Sequence, residues 1–138
     1  PDRELHAAVH ALFAEISAQI DCTVCANCCR ALDTLFTKEE LARIAAHLNL
    51  AEEELRQRHG IEWDEGQEVW HVGTPCPFLE GNLCSVYEIR PERCRSYPYL
   101  QKDRFRSRLL TVVWNCSVCP IVYNVYERLK TRLWRRRR

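Results

Sequence analysis

The sequence predicts an α-rich small metal-bound domain with minor β structure, in which terminal helices surround cysteine-bearing loops. Apolar residues recur at three- and four-residue steps near both ends of the chain, as they do along the buried face of a helix. Nine cysteines lie between or beside these segments, in or next to turns. A chain of 138 residues can bury a hydrophobic core, and no break in composition divides it. We therefore expect a single cysteine-cluster metal-binding domain over residues 1–138.

The first half of the chain predicts three helices. The first runs from about residue 4 to residue 20 and has one apolar face, formed by Leu5, Val9, Leu12, Phe13, Ile16 and Ile20. Thr37 and Glu40 have the spacing of a capping box, which predicts the start of a second helix. A third, short helix is predicted between Asn49 as its N-cap and Gly60 as its stop.

The second half of the chain predicts turns, a β-prone stretch and a terminal helix. Residues 61–72 place aromatic and β-branched side chains on either side of a polar turn, which indicates a small hairpin or extended loop. A second turn is expected at residues 80–82, and residues 104–116 include a β-prone stretch. Pro120 suits the first turn of a terminal helix, whose apolar positions are Ile121, Val125, Leu129 and Leu133.

Composition and charge restrict the class of protein. The content of 46% apolar and 28% charged residues, with a formal net charge of +1, is that of an ordinary soluble globular protein. No run reaches about 18 apolar residues, and residues 1–21 lack the basic flank and apolar block of a signal peptide. We therefore expect no membrane span and a cytoplasmic protein. Nucleic acid is expected to bind, if at all, only through the basic last five residues, WRRRR.

The spacing of the cysteines is the strongest functional signal. Nine is an odd number, which counts against a disulfide scaffold, and C-x2-C spacing lets a short loop direct two sulfurs at one ion. Two such pairs are present, Cys22/Cys25 and Cys116/Cys119. All nine cysteines are therefore candidate metal ligands: Cys22, Cys25, Cys28, Cys29, Cys76, Cys84, Cys94, Cys116 and Cys119.

Two arrangements of these ligands compete. In the first, Cys22, Cys25 and Cys28 imitate the C-x2-C-x2-C run of bacterial ferredoxins and bind one iron–sulfur cubane. The fourth ligand is then a remote cysteine that precedes a proline, and both Cys76 and Cys119 do so. The chain departs from the ferredoxin run because a further cysteine follows immediately, where ferredoxins have a three-residue gap.

In the second arrangement, each of two metal ions has four ligands. The two C-x2-C pairs surround one tetrahedral zinc ion. Either Cys28 or Cys29 joins Cys76, Cys84 and Cys94 around the other ion. Nine cysteines suffice for two such sites with one to spare, and the spacing alone does not choose between the arrangements.

Several segments resemble a known family. The run CTVCANCC at residues 22–29, the segment PCPFL at 75–79, the segment GNLCSVYEIRPERCRSYP at 81–98 and a late cysteine pair occur together and in this order. In these motifs the chain resembles the CxxCxxCC family of zinc- or iron-chelating proteins, also called YkgJ-like cysteine cluster proteins. The resemblance implies metal or iron–sulfur binding through these cysteines, with no settled reaction; some family members resemble flagellin lysine methylases.

Charge balance gives the neighbouring arginines a role. Four thiolates around a divalent ion leave a net charge of about minus two, which is costly to bury without nearby cations. Pro91 can open a helical turn whose free amide groups face Cys94. Four arginines lie close to Cys29 or Cys94 in the sequence and can supply the cations, or can be solvated partners of Glu88 and Glu92: Arg30, Arg90, Arg93 and Arg95.

Three functional hypotheses follow. The favoured one is a cysteine-ligated metal-binding protein with an iron–sulfur cluster, which transfers electrons or acts as accessory to a partner enzyme. The second is a structural module with one or two zinc ions that binds a protein or nucleic acid. The third is a cluster-dependent, methylase-like component of protein modification. No glycine-rich phosphate loop is present, which disfavours an enzyme acting on its own. Histidines are weaker candidates: His6 and His10 are expected as a surface pair, and His71 can replace a cysteine ligand.

Overall fold

The computed structural model describes residues 2–135, in which helices predominate and two small antiparallel sheets are present. The α-rich fold with minor β structure is therefore confirmed. Two single turns of 3-10 helix lie at Tyr87–Ile89 and Arg106–Arg108. The elements in chain order are α1 Asp2–Ser17, α2 Cys22–Cys25, α3 Asn27–Ala31, β1 Thr34–Phe36, α4 Lys38–His47, α5 Glu52–His59, β2 Glu62–Asp64, β3 Val69–Val72, β4 Leu79–Glu80, β5 Leu83–Cys84, α6 Glu92–Ser96, α7 Leu109–Asn115 and α8 Pro120–Arg135.

The chain forms two compact units. The terminal unit combines the chain up to Cys25 with the chain from Tyr97 onward, and the central unit is Ala26–Ser96. None of the helices within residues 2–135 combines the length and apolar character needed to cross a membrane. Of the basic tail, residues 136–138 lie outside the described residues, so the expectation of nucleic-acid binding there stays a prediction.

The terminal unit is built on the packing of α1 against α8, and its core is formed by their apolar faces. Helix α1 ends at Ser17, three residues before the predicted end, although Ile20 still packs against the core. Helix α8 begins at Pro120, as predicted. The buried residues of this core are Val9, Leu12, Ile16, Leu100, Phe105, Val112, Cys119, Ile121, Val122, Val125 and Leu129.

One prediction in the terminal unit is wrong. The β-prone stretch at residues 104–116 is helical, with a 3-10 turn followed by α7. Helix α7 packs against α8 and buries Val112 and Asn115, three residues apart, on one side. β-branched residues favour strands only where a neighbouring strand and a half-buried surface receive them. Here packing against a helix overrides the local preference.

The central unit contains both sheets and two of the predicted helices. Strands β1, β3 and β2 form an antiparallel sheet in that order, and the β2–β3 hairpin is the one predicted from residues 61–72. The second predicted turn joins β4 to β5, with Gly81 at φ +64°. Strand β1 was not predicted, because three residues are too few to show a periodic pattern.

The predicted helix boundaries in the central unit are confirmed at α4 and partly wrong at α5. The side chain of Thr37 accepts a hydrogen bond from the Glu40 amide at 3.2 Å, and the Glu40 carboxylate accepts one from the Thr37 amide at 2.8 Å. Helix α5 ends at His59 and, as predicted, is capped by Gly60, whose φ of +61° suits glycine. Its N-cap, however, is Ala51; Asn49 instead adopts a left-handed conformation just after α4.

Candidate metal centre

All nine cysteines are free thiols, and the structure divides seven of them between two local groups. We define the central thiol cluster as Cys29, Cys76, Cys84 and Cys94. These four residues come from four separate segments of the central unit: helix α3, the loop after β3, the end of β5, and helix α6. Their thiols lie close enough to interact electrostatically. The second arrangement considered from the sequence grouped Cys76, Cys84 and Cys94 with either Cys28 or Cys29, but the spacing did not choose it over the ferredoxin-like arrangement.

Backbone hydrogen bonds place the first three of these cysteines. The Cys76 amide donates to the Cys29 carbonyl at 2.8 Å, which joins the loop after β3 to helix α3. The Leu79 amide then donates to the Cys76 carbonyl at 3.0 Å, and Leu79 is the register partner of Cys84 in the β4–β5 hairpin. A short hairpin therefore brings Cys84 back towards Cys76.

Two of the sulfurs in the central thiol cluster accept hydrogen bonds from amides two residues further along the chain. The Phe78 amide donates to Cys76, and the Val86 amide donates to Cys84. The Thr34 side chain provides a further hydrogen bond to Cys76. Such donors stabilise a thiolate and are the usual outer support of a metal-bound cysteine.

Burial raises the pKa of these thiols by more than the hydrogen-bond donors lower it. It is the largest cause of the raised pKa of Cys76, Cys84 and Cys94, and the neighbouring thiols of the cluster raise each pKa further. The pKa of Cys94 rises to about 12. Cys94 is exposed when the whole residue is considered. The sulfur itself is nevertheless removed from solvent, and this desolvation governs its pKa.

Two of the four expected arginines act on the cluster. Arg90 lowers the pKa of both Cys84 and Cys94, and its guanidinium lies 3.8 Å from the centre of the Tyr87 ring. Arg30 lowers the pKa of Cys29 and donates a hydrogen bond to the Gly81 carbonyl at 3.0 Å. These cations oppose the negative charge that thiolates would bring to the cluster.

The contacts of Arg95 and of the helical turn that follows Pro91 differ from those predicted from the sequence. Arg95 donates to the backbone carbonyl of Glu88 at 3.3 Å. Helix α6 begins directly after Pro91, but the free amide of Glu92 donates to the Glu40 carboxylate at 2.8 Å. That amide is therefore taken by α4 and does not face Cys94. Sequence reasoning missed this role of Glu40, although its capping-box position identified the residue itself.

Cys28 adjoins the central thiol cluster through Cys29. A hydrogen bond with Cys28 is the largest cause of the raised pKa of Cys29, followed by burial and by the charge of Cys28. Helix α3 carries both residues and follows Ala26, which has a left-handed φ of 52°. The strongest influence on the pKa of Cys29 is therefore the thiol of its neighbour Cys28.

The second group lies in the terminal unit. We define the terminal thiol group as Cys22, Cys25 and Cys119. Cys119 is buried, and burial is the largest cause of its raised pKa, to which Cys22 and Cys25 add. Its sulfur accepts hydrogen bonds from the amides of Ile121 and Val122 in the first turn of α8. This helix therefore supplies the same kind of amide support that the central cluster has.

Cys116 is separate from this group in spite of its C-x2-C spacing to Cys119. Its thiol donates to the Val112 carbonyl at 3.4 Å within its own helical turn. Burial is the largest cause of its raised pKa, and the carboxylate of Glu127 raises the pKa further while Lys130 lowers it. Its charged neighbours thus belong to α8.

The histidines have other partners. The rings of His6 and His10 stack with their centres 6.4 Å apart, and the Nε2 atom of His6 accepts a hydrogen bond from the Phe105 amide at 3.2 Å. His71 Nε2 lies 4.0 Å from Glu62 Oε2 across the β2–β3 hairpin. These three histidines therefore interact with residues outside the two thiol groups.

The donor chemistry fits zinc or iron, although the free side chains are not in ligand geometry. Within residues 2–135, no three Cys, His, Asp or Glu side chains are arranged as they stand to hold a metal ion. The thiols nevertheless lie together, and their mutual repulsion opposes ionisation. A bound cation removes that repulsion, because metal ligation favours the thiolate form. Soft sulfur ligands favour zinc and iron–sulfur centres over magnesium or calcium.

The fold and the two thiol groups define a small, α-rich protein with the donor set of a soft-metal chelator. Residues 21–120 match the model of the CxxCxxCC family, which is described as "Putative zinc- or iron-chelating domain", and the chain belongs to this family. The resemblance seen in the cysteine motifs is therefore confirmed. Zinc or iron binding is the function that family membership supports.

A relative from Methanocaldococcus jannaschii, named "Uncharacterized protein MJ0661", is 33% identical over 107 residues. The match covers 74% of this chain and 57% of the relative, so the chain spans little more than half of that protein. No solved structure matches the chain.

Proposed function

We propose that this chain is an iron–sulfur protein whose central thiol cluster holds the iron–sulfur cluster, and that it transfers electrons or serves a partner enzyme. The observation that carries the proposal is the grouping of four cysteine thiols from four separate segments of the central unit. Four cysteines are the usual ligand set of both [2Fe–2S] and [4Fe–4S] centres. A cytoplasmic location is part of the same proposal.

The surroundings of the central thiol cluster support an electron-transfer role. Cys76 belongs to an apolar core that includes Phe36, Phe78 and Val86, and such burial limits solvent access to a redox centre. Cys94, in contrast, is exposed as a residue although its thiol is buried, so the cluster lies close to the protein surface on this side. Amide donors to sulfur, nearby cations and partial burial are the factors by which a protein sets the potential of such a centre.

The test of this proposal is purification under anaerobic conditions followed by iron, sulfide and zinc analysis and visible spectroscopy. A coloured protein that contains iron and sulfide in equal amounts and bleaches on reduction is the expected result. The variants Cys76→Ser and Cys84→Ser should lose this chromophore, whereas Cys116→Ser should keep it. Colourless protein that contains zinc and no iron would refute the redox role.

A structural zinc module is the second candidate, and the short elements of the central unit favour it. Helices α3 and α6 have five residues each, and β4 and β5 have two residues each. Elements of this length are not stable by themselves, so a metal can fix their positions. Zinc in a four-cysteine site would serve this purpose. Loss of tertiary structure on chelation, with no redox activity, is the outcome that this candidate predicts.

A further inference from the structure

Helix α7 of the terminal unit presents apolar side chains on its outer side. Leu110, Val113 and Trp114 are 88%, 44% and 56% exposed, whereas Val112 and Asn115 on the opposite side of the helix are buried. We propose that this outer side of α7, together with the basic residues that precede it, binds the surface of an anionic lipid bilayer. This contact is peripheral, and it does not depend on the iron–sulfur function proposed above.

The exposed apolar side chains of α7 are neighbours on the helix surface. We define the apolar patch as Leu110, Val113 and Trp114, which are three and four residues apart and therefore adjacent. Single exposed apolar residues are common on proteins, but adjacent ones indicate a surface that meets a partner. The core of the terminal unit takes Val112 from the other side of the helix. The patch therefore contributes nothing to the core that holds α7 in place.

A cationic stretch directly precedes the apolar patch. We define the basic segment as residues 102–106, in which Lys102, Arg104 and Arg106 are exposed. Within residues 2–135, Lys102 and Arg104 form no ion pair. Arg106 lies 3.4 Å from the Asp2 carboxylate, but both side chains are about two-thirds exposed, so this pair is weak. These cations are therefore available to an anionic partner.

Hydrogen bonds fix the basic segment next to the apolar patch. The Arg108 guanidinium donates to the carbonyls of Lys102 at 2.5 Å and Asp103 at 3.1 Å. The 3-10 turn that begins at Arg106 continues directly into α7. Arg106 therefore lies one helical turn before Leu110, on the same side of the helix. Cations and apolar side chains thus form one surface, with the cations at its N-terminal end.

An anionic bilayer matches both parts of this surface. Its headgroups accept contacts from cations, its hydrocarbon receives apolar side chains, and tryptophan is enriched at the boundary between them. The terminal unit as a whole has 12 Lys and Arg residues against 6 Asp and Glu residues. A second copy of the chain would bring like charges together at the patch. Stacking of nucleic-acid bases would use Trp114 but leave Leu110 and Val113 in water.

Flotation of the full chain with lipid vesicles tests the proposal. The protein should bind vesicles of phosphatidylcholine and phosphatidylglycerol in a three-to-one ratio, less strongly at high salt, and should not bind phosphatidylcholine alone. Leu110→Ser should weaken binding at least about tenfold, because the bilayer no longer buries this side chain. Lys102→Gln/Arg104→Gln should weaken it about thirtyfold, since each cation contributes about fivefold. Leu83→Ser, at a 62% exposed position of the central unit, and Arg58→Gln are the matched controls and should bind as the wild type does.

The basic end of the chain needs a separate control, because it can attract anionic lipid without the apolar patch. The variant Arg136→Gln/Arg137→Gln/Arg138→Gln should still bind anionic vesicles, and adding Leu110→Ser should again weaken binding at least about tenfold. Circular dichroism checks that Leu110→Ser, at an exposed position, keeps the fold. Absence of binding to anionic vesicles, or equal binding of the wild type and Leu110→Ser, would overturn the proposal. So would a dimer or a complex with single-stranded DNA that Leu110→Ser abolishes while vesicle binding stays unchanged.

Discussion

Glu40 connects helix α4 to the helix that carries Cys94, and its replacement should weaken both the fold and the metal site. The residue is only 8% exposed. One carboxylate oxygen accepts from the Thr37 amide and the other from the Glu92 amide, each at 2.8 Å. Glu92 is the first residue of α6, and Cys94 follows two residues later. The carboxylate thus fixes the start of α6 from outside the thiol cluster.

The size of the effect follows from these two hydrogen bonds. A hydrogen bond to a charged group contributes about 1.5–3 kcal/mol, and removing the acceptor leaves a partly buried amide unsatisfied. Glu40→Ala loses both bonds, so the free energy of unfolding should fall by about 4 kcal/mol. Glu40→Gln keeps one acceptor oxygen and turns an NH2 group towards the other amide. Its loss should be about half as large, about 2 kcal/mol.

The assay is urea denaturation of the metal-loaded protein, together with chelator competition for the metal of the central thiol cluster. Glu52→Ala is the matched control, because Glu52 lies in the first turn of α5 and is exposed. It should change the stability by less than about 0.5 kcal/mol. The affinity of the central site should fall at least about tenfold in Glu40→Ala, as it does when outer support of a metal ligand is removed. Equal stability of Glu40→Ala and Glu52→Ala would refute the connection.

Three further predictions concern the metal and the thiols. The thiol of Cys94 has a pKa of about 12 in the folded protein against 9.0 for the free group, so the metal-free fold holds this proton more tightly than the unfolded chain does. The stability that protonated Cys94 contributes is complete below pH 9 and declines as the pH rises towards 12. Urea denaturation of the metal-free protein measures this, and a denaturation midpoint that increases over that pH range would contradict it. Arg90→Gln removes a cation that acts on Cys84 and Cys94, so it should lower the reduction potential of the proposed iron–sulfur cluster, measured by voltammetry. Arg58→Gln on α5 is the control and should leave the potential unchanged. Removal of metal should increase hydrogen exchange at residues 60–100 first, because short elements predominate there, and earlier exchange in α1 would argue against it.

The parts of the fold that could be predicted are those with a complete local signal. The capping box at Thr37 and Glu40, the stop at Gly60 and the hairpin in residues 61–72 depend on residues close together in the sequence. Helix α7 could not be predicted in this way, because its valines and threonine are β-prone and the packing against α8 decides its conformation. That residues 1–138 unfold as one domain stays a prediction, which a single calorimetric transition would support.

Spacing alone could not choose between the two predicted groupings of the cysteines, because it shows pairs but not directions. Cys116 and Cys119 have the spacing of a ligand pair, yet they lie at a junction of two helices. The Cys116 amide bonds back to the Val112 carbonyl at 3.1 Å and so continues α7, whereas Cys119 precedes α8. Had α7 been predicted as a helix, the position of Cys116 at its end would have indicated a thiol turned to its own helix.

The run of four cysteines at residues 22–29 is best understood as two pairs. The boundary between the compact units falls after Cys25, and Ala26, in a left-handed conformation, separates α2 from α3. Cys22 therefore belongs with Cys119, and Cys29 belongs with the central thiol cluster. Bacterial ferredoxins with two clusters also use one run of cysteines for two centres, because the last cysteine of the run ligates the other cluster. The closely spaced cysteines of residues 22–29 thus belong to two different groups of thiols. The remaining members of each group come from distant parts of the sequence.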